Sequence, residues 1–180
     1  MSNWIWVAVV IVAFGLYLSW TAGRLDRLHA RIDAARAALD AQLLRRAAVT
    51  QELATTQLLD PASSLVLQQA AHHARQATAD RETREVAESE LSQALRAVFD
   101  DRAEAEALRE LPGGQEALTD LTSAVRRVAM ARRFHNDAVR AARQVRRHRL
   151  VRYLRLAGHA PSPMAFEMDD EVPAGLEPDA

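Results

Sequence analysis

The chain of 180 residues predicts an all-α protein: an N-terminal transmembrane helix continuing into an up-and-down antiparallel four-helix bundle. Three features carry that expectation. The first is an uncharged apolar run that opens the sequence. The second is a set of apolar seams spaced three and four residues apart through the rest. The third is punctuation, since there are only six glycines and six prolines, most of them outside the apolar repeats. Alanine is frequent and only four Phe, three Trp and two Tyr occur, so the core must be built from Leu, Val and Ala ridges on long helices.

Residues 1–23 form the expected anchor. Trp4 to Trp20 reads WIWVAVVIVAFGLYLSW, and no charge appears before Arg24. About twenty helical residues span roughly 30 Å, the thickness of a bilayer's hydrocarbon core. Ile5, Val7, Val9, Val10, Ile11, Val12, Phe14, Leu16 and Leu18 together favour insertion by roughly 3–5 kcal/mol. Trp4, Trp6, Tyr17 and Trp20 stand near the two ends, where aromatic rings settle at headgroup level. A cleaved signal peptide would need a basic leader, which Met1-Ser2-Asn3 does not supply. Arg24, Arg27, Arg31 and Arg36 follow the run and no arginine precedes it. The positive-inside rule then places the N-terminus outside and the bundle in the cytoplasm, as a single-pass protein of the cell membrane.

Residues 24–157 form the expected bundle. Helix one, 24–58, carries the seam Leu25, Leu28, Ile32, Ala35, Leu39, Gln42, Arg46, Val49, Leu53, a coiled-coil-like repeat. Asp60-Pro61 is a helix-start pair and opens helix two, 61–79. The charged stretch 80–85 offers Asp80 or Thr83 as a cap, either at a turn or within one long helix. Helix three, 86–110, aligns Ala87, Leu91, Ala94, Leu95, Val98 and Leu108, and it stops at Leu111-Pro112-Gly113-Gly114. Helix four, 115–148, repeats the spacing at Leu118, Leu121, Val125, Val128, Arg132, His135, Val139 and Ala142. A short basic helix, 150–157, follows. Short connections make neighbours antiparallel, so the far end of helix four returns to the bilayer. The tail, 158–180, is acidic and punctuated by proline, and it is expected to be mostly disordered.

Charge is distributed unevenly although the net charge is −1. Residues 80–120 hold twelve acids against five arginines, whereas 126–155 hold eleven arginines against Asp137 alone. All 23 basic side chains are arginine. The run Arg143, Arg146, Arg147, Arg149, Arg152 and Arg155 lies where the topology meets the membrane, which makes it a candidate contact for anionic lipid. Nucleic-acid binding is the rival for a basic run, but there is no aromatic interleaving, so no nucleic acid is expected. A solvated helix face is the plain alternative.

Polar residues interrupt the seams at Gln42 and Arg46 on helix one and at Arg132 and His135 on helix four. With Asp40 as the carboxylate for Arg132 or Arg133, these form a candidate polar core layer that either fixes register or lines a ligand pocket at mid-bundle. His72-His73 lacks metal spacing, because adjacent helical residues point about 100° apart. There is no cysteine, no phosphate-binding glycine loop, no lysine for one, and no hydrolase elbow. No catalytic, cofactor-binding or metal residues are expected.

Two stretches resemble the LemA family of bacterial membrane-anchored helical proteins. Ala38-Leu39-Asp40-Ala41-Gln42-Leu43-Leu44-Arg45-Arg46 is similar to that family's Ile-Asp-Val-Gln-Leu-Lys-Arg-Arg signature. Arg127 to Val139, RVAMARRFHNDAV, is similar to its Ile-Ala-x-Ala-Arg-Arg-x-Tyr-Asn-x-Ala-Val pattern. Ser89 to Leu95 and the Pro161, Pro163, Phe166 ending fit more loosely. The resemblance spans about residues 25–46 and 86–167. Gln51 to Ala54 stand where the family has Ile-Pro-Asn-Leu, and His135 stands where it has Tyr. It implies a four-helix bundle behind one transmembrane helix and carries no enzymatic activity with it. The functional expectation is a non-enzymatic scaffold or interaction protein with protein partners at the membrane. A membrane-linked sensor that binds a ligand at mid-bundle and an unrecognised hydrolase are the alternatives.

Overall fold

The computed structural model describes residues 2–77, 80–147 and 162–177. Most of those residues are helical, with no strand among them. The helices are α1 Ser2–Thr55, α2 Pro61–Gln76, α3 Arg81–Phe99, α4 Arg102–Glu110 and α5 Gly114–Arg146, followed by a 3-10 turn at Ala174–Leu176. The chain divides into two compact units: Met1–Arg36 with His135–Ala165, and Ala37–Phe134 with Phe166–Ala180. α1 and α5 each contribute one stretch to each unit.

The start signals read in the sequence operate as expected. Asp60 Oδ1 accepts from the N–H groups of Ala62 (2.8 Å) and Ser63 (3.1 Å), with Pro61 opening α2. Asp80 caps α3 by accepting from the Thr83 N–H at 2.9 Å. These bonds hold both carboxyls below their ordinary range, led by the side-chain bond from Ser63 to Asp60 and from Thr83 to Asp80. The charged stretch 81–85 therefore lies inside a helix, and α3 starts five residues before the expected position. Helix three also does not run through to residue 110. It ends at Phe99, and Asp101 caps a separate α4 by accepting from the Ala103 N–H at 2.8 Å. α2 ends at Gln76, short of the expected 79. The expected helix at 150–157 lies outside the described residues.

In the second unit, Val49 and Leu53 of α1, Leu67 and Ala71 of α2, Leu91 and Leu95 of α3, Leu108 of α4 and Leu118 and Leu121 of α5 share one buried cluster. Alanines 47, 74, 94 and 124 let the helices approach closely. The buried stripe on α1 is wider than a two-position seam, because Leu43, Ala47 and Thr50 are buried beside Leu39, Arg46 and Leu53. Contacts set the directions. Leu39 and Leu43 cluster with Val128, while Val49 and Leu53 border a cleft with Gly113 and Ala117, so α5 runs against α1. Ser63 at the start of α2 borders a cleft with Val98 and Phe99, while His73 near its end lies 2.8 Å from Glu90, so α2 runs against α3. Asp40 meets Arg84 and Arg46 meets Glu88, so α3 runs with α1.

In the first unit, Ile32, Ala138, Val139 and Ala142 form a small core with Leu28 and Ala35 against it. Every described side chain from Trp4 to Trp20 is exposed. Among the described residues, α1 is the one helix long and apolar enough to cross a membrane, with a mean hydropathy of 2.0 over its apolar window. Just past that window, the Arg24 guanidinium stacks over the Trp20 ring at 5.8 Å.

Candidate functional site

The seam of α1 places a guanidinium in the core. Arg46 is 1% exposed, and its Nη2 donates to Glu88 Oε2 at 2.7 Å and to Glu88 O at 2.9 Å. Its Nη1 donates to Ser92 Oγ at 2.8 Å. Glu88 and Ser92 stand one turn apart on the buried face of α3, between Ala87 and Leu95. A buried ion pair gains little net stability once desolvation is included, but breaking it leaves an uncompensated charge. The pair therefore locks α1 to α3 in one register. Among the described residues, Arg46 Nε and Gln42 Oε1, one turn apart on α1, have no hydrogen-bond partner.

The tail contradicts the expectation of disorder. Residues 162–177 hold no regular structure before the 3-10 turn, yet Phe166, Met168 and Leu176 are buried. Phe166 and Met168 join Leu39, Leu43 and Val128 in one cluster. The backbone of this strap is bound by α3. The Glu167 N–H donates to Glu85 Oε1 at 2.9 Å, and the Asp169 N–H donates to Ser89 Oγ at 3.1 Å. Ser92 Oγ donates to Asp169 O at 2.7 Å, so the hydroxyl that accepts from buried Arg46 also holds the strap. Farther on, Asp100 Oδ1 accepts from the Ala174 N–H at 3.2 Å, and Arg109 donates to Gly175 O at 2.8 Å.

Two arginines pin the strap's acids. Arg96 forks onto Asp169, with Nη1 to Oδ1 at 2.9 Å and Nη2 to Oδ2. Arg132 does the same to Asp170, with Nε to Oδ2 at 2.9 Å and Nη2 to Oδ1 at 2.8 Å. The bond from Arg96 holds the Asp169 carboxyl below its ordinary range and outweighs the opposing effect of burial, while Asp169 raises Arg96. Because the docked form has the lower value, this carboxylate's contribution is complete above the ordinary carboxylate pKa. It fades as pH falls through the lowered one. The composition that suggested disorder is thus offset by three buried apolar side chains and two bidentate ion pairs.

The expected polar layer separates into parts. Asp40 pairs with Arg84 at 2.9 Å, not with Arg132 or Arg133. The reason is direction: Asp40 and Arg84 stand at one level on parallel α1 and α3, and the strap supplies Arg132 with Asp170 instead. His135 is buried in the first unit, with Nε2 3.4 Å from Met164 O. His72 and His73 are exposed, and His73 Nδ1 lies 2.8 Å from Glu90 Oε2. Among the arginines of the basic run, Arg143 is exposed and donates to Pro163 O at 2.8 Å, Arg146 is half-buried and Arg147 is exposed. Arg149, Arg152 and Arg155 lie outside the described residues.

Sequence reasoning missed Glu88, Ser89, Ser92, Arg96, Asp169 and Asp170. Two signals were present. Glu88 and Ser92 fall four apart within the apolar side of α3, and Phe166-Glu167-Met168-Asp169 alternates with a period of two, as an extended segment against a surface does. Among the described residues, no group of three or more His, Asp or Glu side chains is gathered to hold a metal ion. The arrangement is one for holding chains together, by a buried ion pair inside and a peptide clasped outside. No known family, no curated protein and no solved structure matches the chain.

Proposed function

We propose that the chain is a membrane-anchored, non-enzymatic scaffold or interaction protein of the LemA type. In this reading, α1 spans the membrane once and continues into an up-and-down antiparallel four-helix bundle, with the N-terminus outside and the bundle in the cytoplasm. The observation that carries it is the continuity of α1. One unbroken helix, Ser2–Thr55, leads from an exposed apolar stretch into buried core residues, Ile32 first and then Leu39, Leu43 and beyond. An exposed apolar surface of that size is unfavourable in water and is satisfied by lipid. The helix directions in the second unit support the bundle. The packing of Ala138, Val139 and Ala142 against Leu28, Ile32 and Ala35 supports a return of α5 to the headgroups. There Arg143, Arg146 and Arg147 would contact anionic lipid, each contributing about 1 kcal/mol.

A ligand pocket at mid-bundle has one observation in its favour, the two unpartnered polar atoms of Gln42 and Arg46. The other Arg46 donors are already used within the protein, which favours the register-fixing role.

The chain has no cysteine, so single cysteines report topology cleanly. Ser2→Cys in right-side-out vesicles is expected to react with an impermeant maleimide, and Gln76→Cys only after the vesicles are opened. Alkaline extraction is expected to leave the chain with the membrane. Val10→Asp with Ile11→Asp should release it, because two central aspartates at about 2.5–3.5 kcal/mol each exceed the insertion energy of the span. Release of the unsubstituted chain by alkali, or the reverse labelling pattern, overturns the reading.

A further inference from the structure

The strap is bound as a peptide would be. From Glu85 to Asp100, α3 rises about 22 Å. Strap residues 167–174, bonded near those two ends, reach that distance only when nearly extended. Within this stretch Ser89 accepts the Asp169 N–H and Ser92 donates to the Asp169 carbonyl, which reads main chain whatever the side chain. Specificity comes from an apolar seat for Phe166 and Met168 and from Arg96 and Arg132 for two consecutive carboxylates. None of these contacts depends on the peptide being joined to the same chain. Both ion pairs are only partly buried, with side-chain exposures of 18–30%. The clasp therefore lies at a rim, where one acidic segment can replace another.

We propose that the groove between α3 and α5 is a binding site for an extended acidic segment of a partner protein, of the pattern apolar-x-apolar-Asp-Asp, and that residues 166–171 occupy it in cis. The charges of groove and ligand are opposed, and the strap itself defines the ligand chemistry. A tethered occupant acts at an effective concentration in the millimolar range. The cis strap therefore multiplies the apparent affinity for any partner by the fraction of time the groove is empty. A partner segment that wins the site frees the strap and leaves Ser92 bonded to new main chain, with Arg46 still paired beneath it. This deepens the interaction-protein reading and rests on it. Labelling and extraction report the membrane span and peptide binding reports the groove, so either can fail with the other intact.

The test uses the full-length chain in detergent micelles and a fluorescein-labelled peptide with the sequence of residues 166–177, read by polarisation. The unsubstituted chain is expected to bind weakly. Asp169→Asn with Asp170→Asn in the chain's own strap should tighten peptide binding at least tenfold. Adding Arg96→Glu and Arg132→Glu should abolish binding, and a peptide with arginine at its two aspartate positions should restore it. Circular dichroism checks that each variant folds. If the fourfold variant does not, Arg132→Gln on the strap-weakened chain should lower affinity about fivefold. Absence of saturable binding by the strap-weakened chain overturns the proposal, as does binding indifferent to the arginines. Concentration-dependent dimers that peptide fails to suppress also overturn it, in favour of strap exchange between copies.

Discussion

Arg46→Met is expected to destabilise the second unit by about 3–5 kcal/mol, because it leaves the Glu88 carboxylate buried without its partner. For a unit of this size, that lowers the melting temperature by roughly 12–25 °C. Burial decides the magnitude. The two side chains are 1% and 3% exposed, so water cannot replace the lost guanidinium. Exposed pairs such as His73 with Glu90 contribute about 0–1 kcal/mol by comparison. Arg46→Met combined with Glu88→Met should recover most of the loss, since an apolar pair of similar volume avoids desolvation altogether. Thermal unfolding followed by circular dichroism measures both. A single-variant midpoint within about 3 °C of the parent contradicts the buried pairing.

The second large effect is expected at the Leu111–Gly114 turn, and its two glycines should behave differently. A Cβ on residue 114 would lie 1.8 Å from Leu108 O and 2.9 Å from the carbonyl carbon, both backbone atoms that cannot swing aside. The turn is further tied by the Leu111 N–H to Leu108 O at 3.2 Å and the Gly114 N–H to Leu111 O at 2.9 Å. Gly114→Ala must therefore reopen the connection between α4 and α5, at about 2–4 kcal/mol. Gly113 has φ +82° with open space around it, so Gly113→Ala meets only the left-handed backbone penalty of about 1–2 kcal/mol. Chemical denaturation of both variants gives the order. Equal losses, or a larger loss at 113, contradict the close approach.

Much of the helical layout was legible because its signals are local. Asp60-Pro61 and Leu111-Pro112-Gly113-Gly114 mark boundaries through backbone chemistry that tertiary context does not override. The three-and-four spacing from Leu118 to Ala142 predicts the inner side of α5, where every apolar member is buried. The break at Asp100-Asp101 was hidden because no glycine or proline marks it. It is made by Asp101 acting as a cap and by Gly175 entering so closely that a Cβ there would stand 2.4 Å from Phe99 O.

The polar contacts were harder to read because they join residues far apart in sequence. Arg46 could be recognised as a buried seam residue, but its partner is 42 positions away in a helix whose composition reads as solvated. The strap failed for a related reason. Six acids and several prolines in the last 25 residues describe an average, whereas docking depends on Phe166, Met168 and two arginines contributed by other helices.

The proposal that the last long helix returns to the lipid surface is tested most directly by a spin–spin distance in the first unit. Nitroxides introduced as Arg24→Cys and Arg147→Cys in the full-length chain, reconstituted in bilayers, are expected to lie about 10–25 Å apart, as labels on packed neighbouring helices do. A distance near 50 Å, about the length of the 33-residue α5, would put Arg147 far from the membrane and contradict the account.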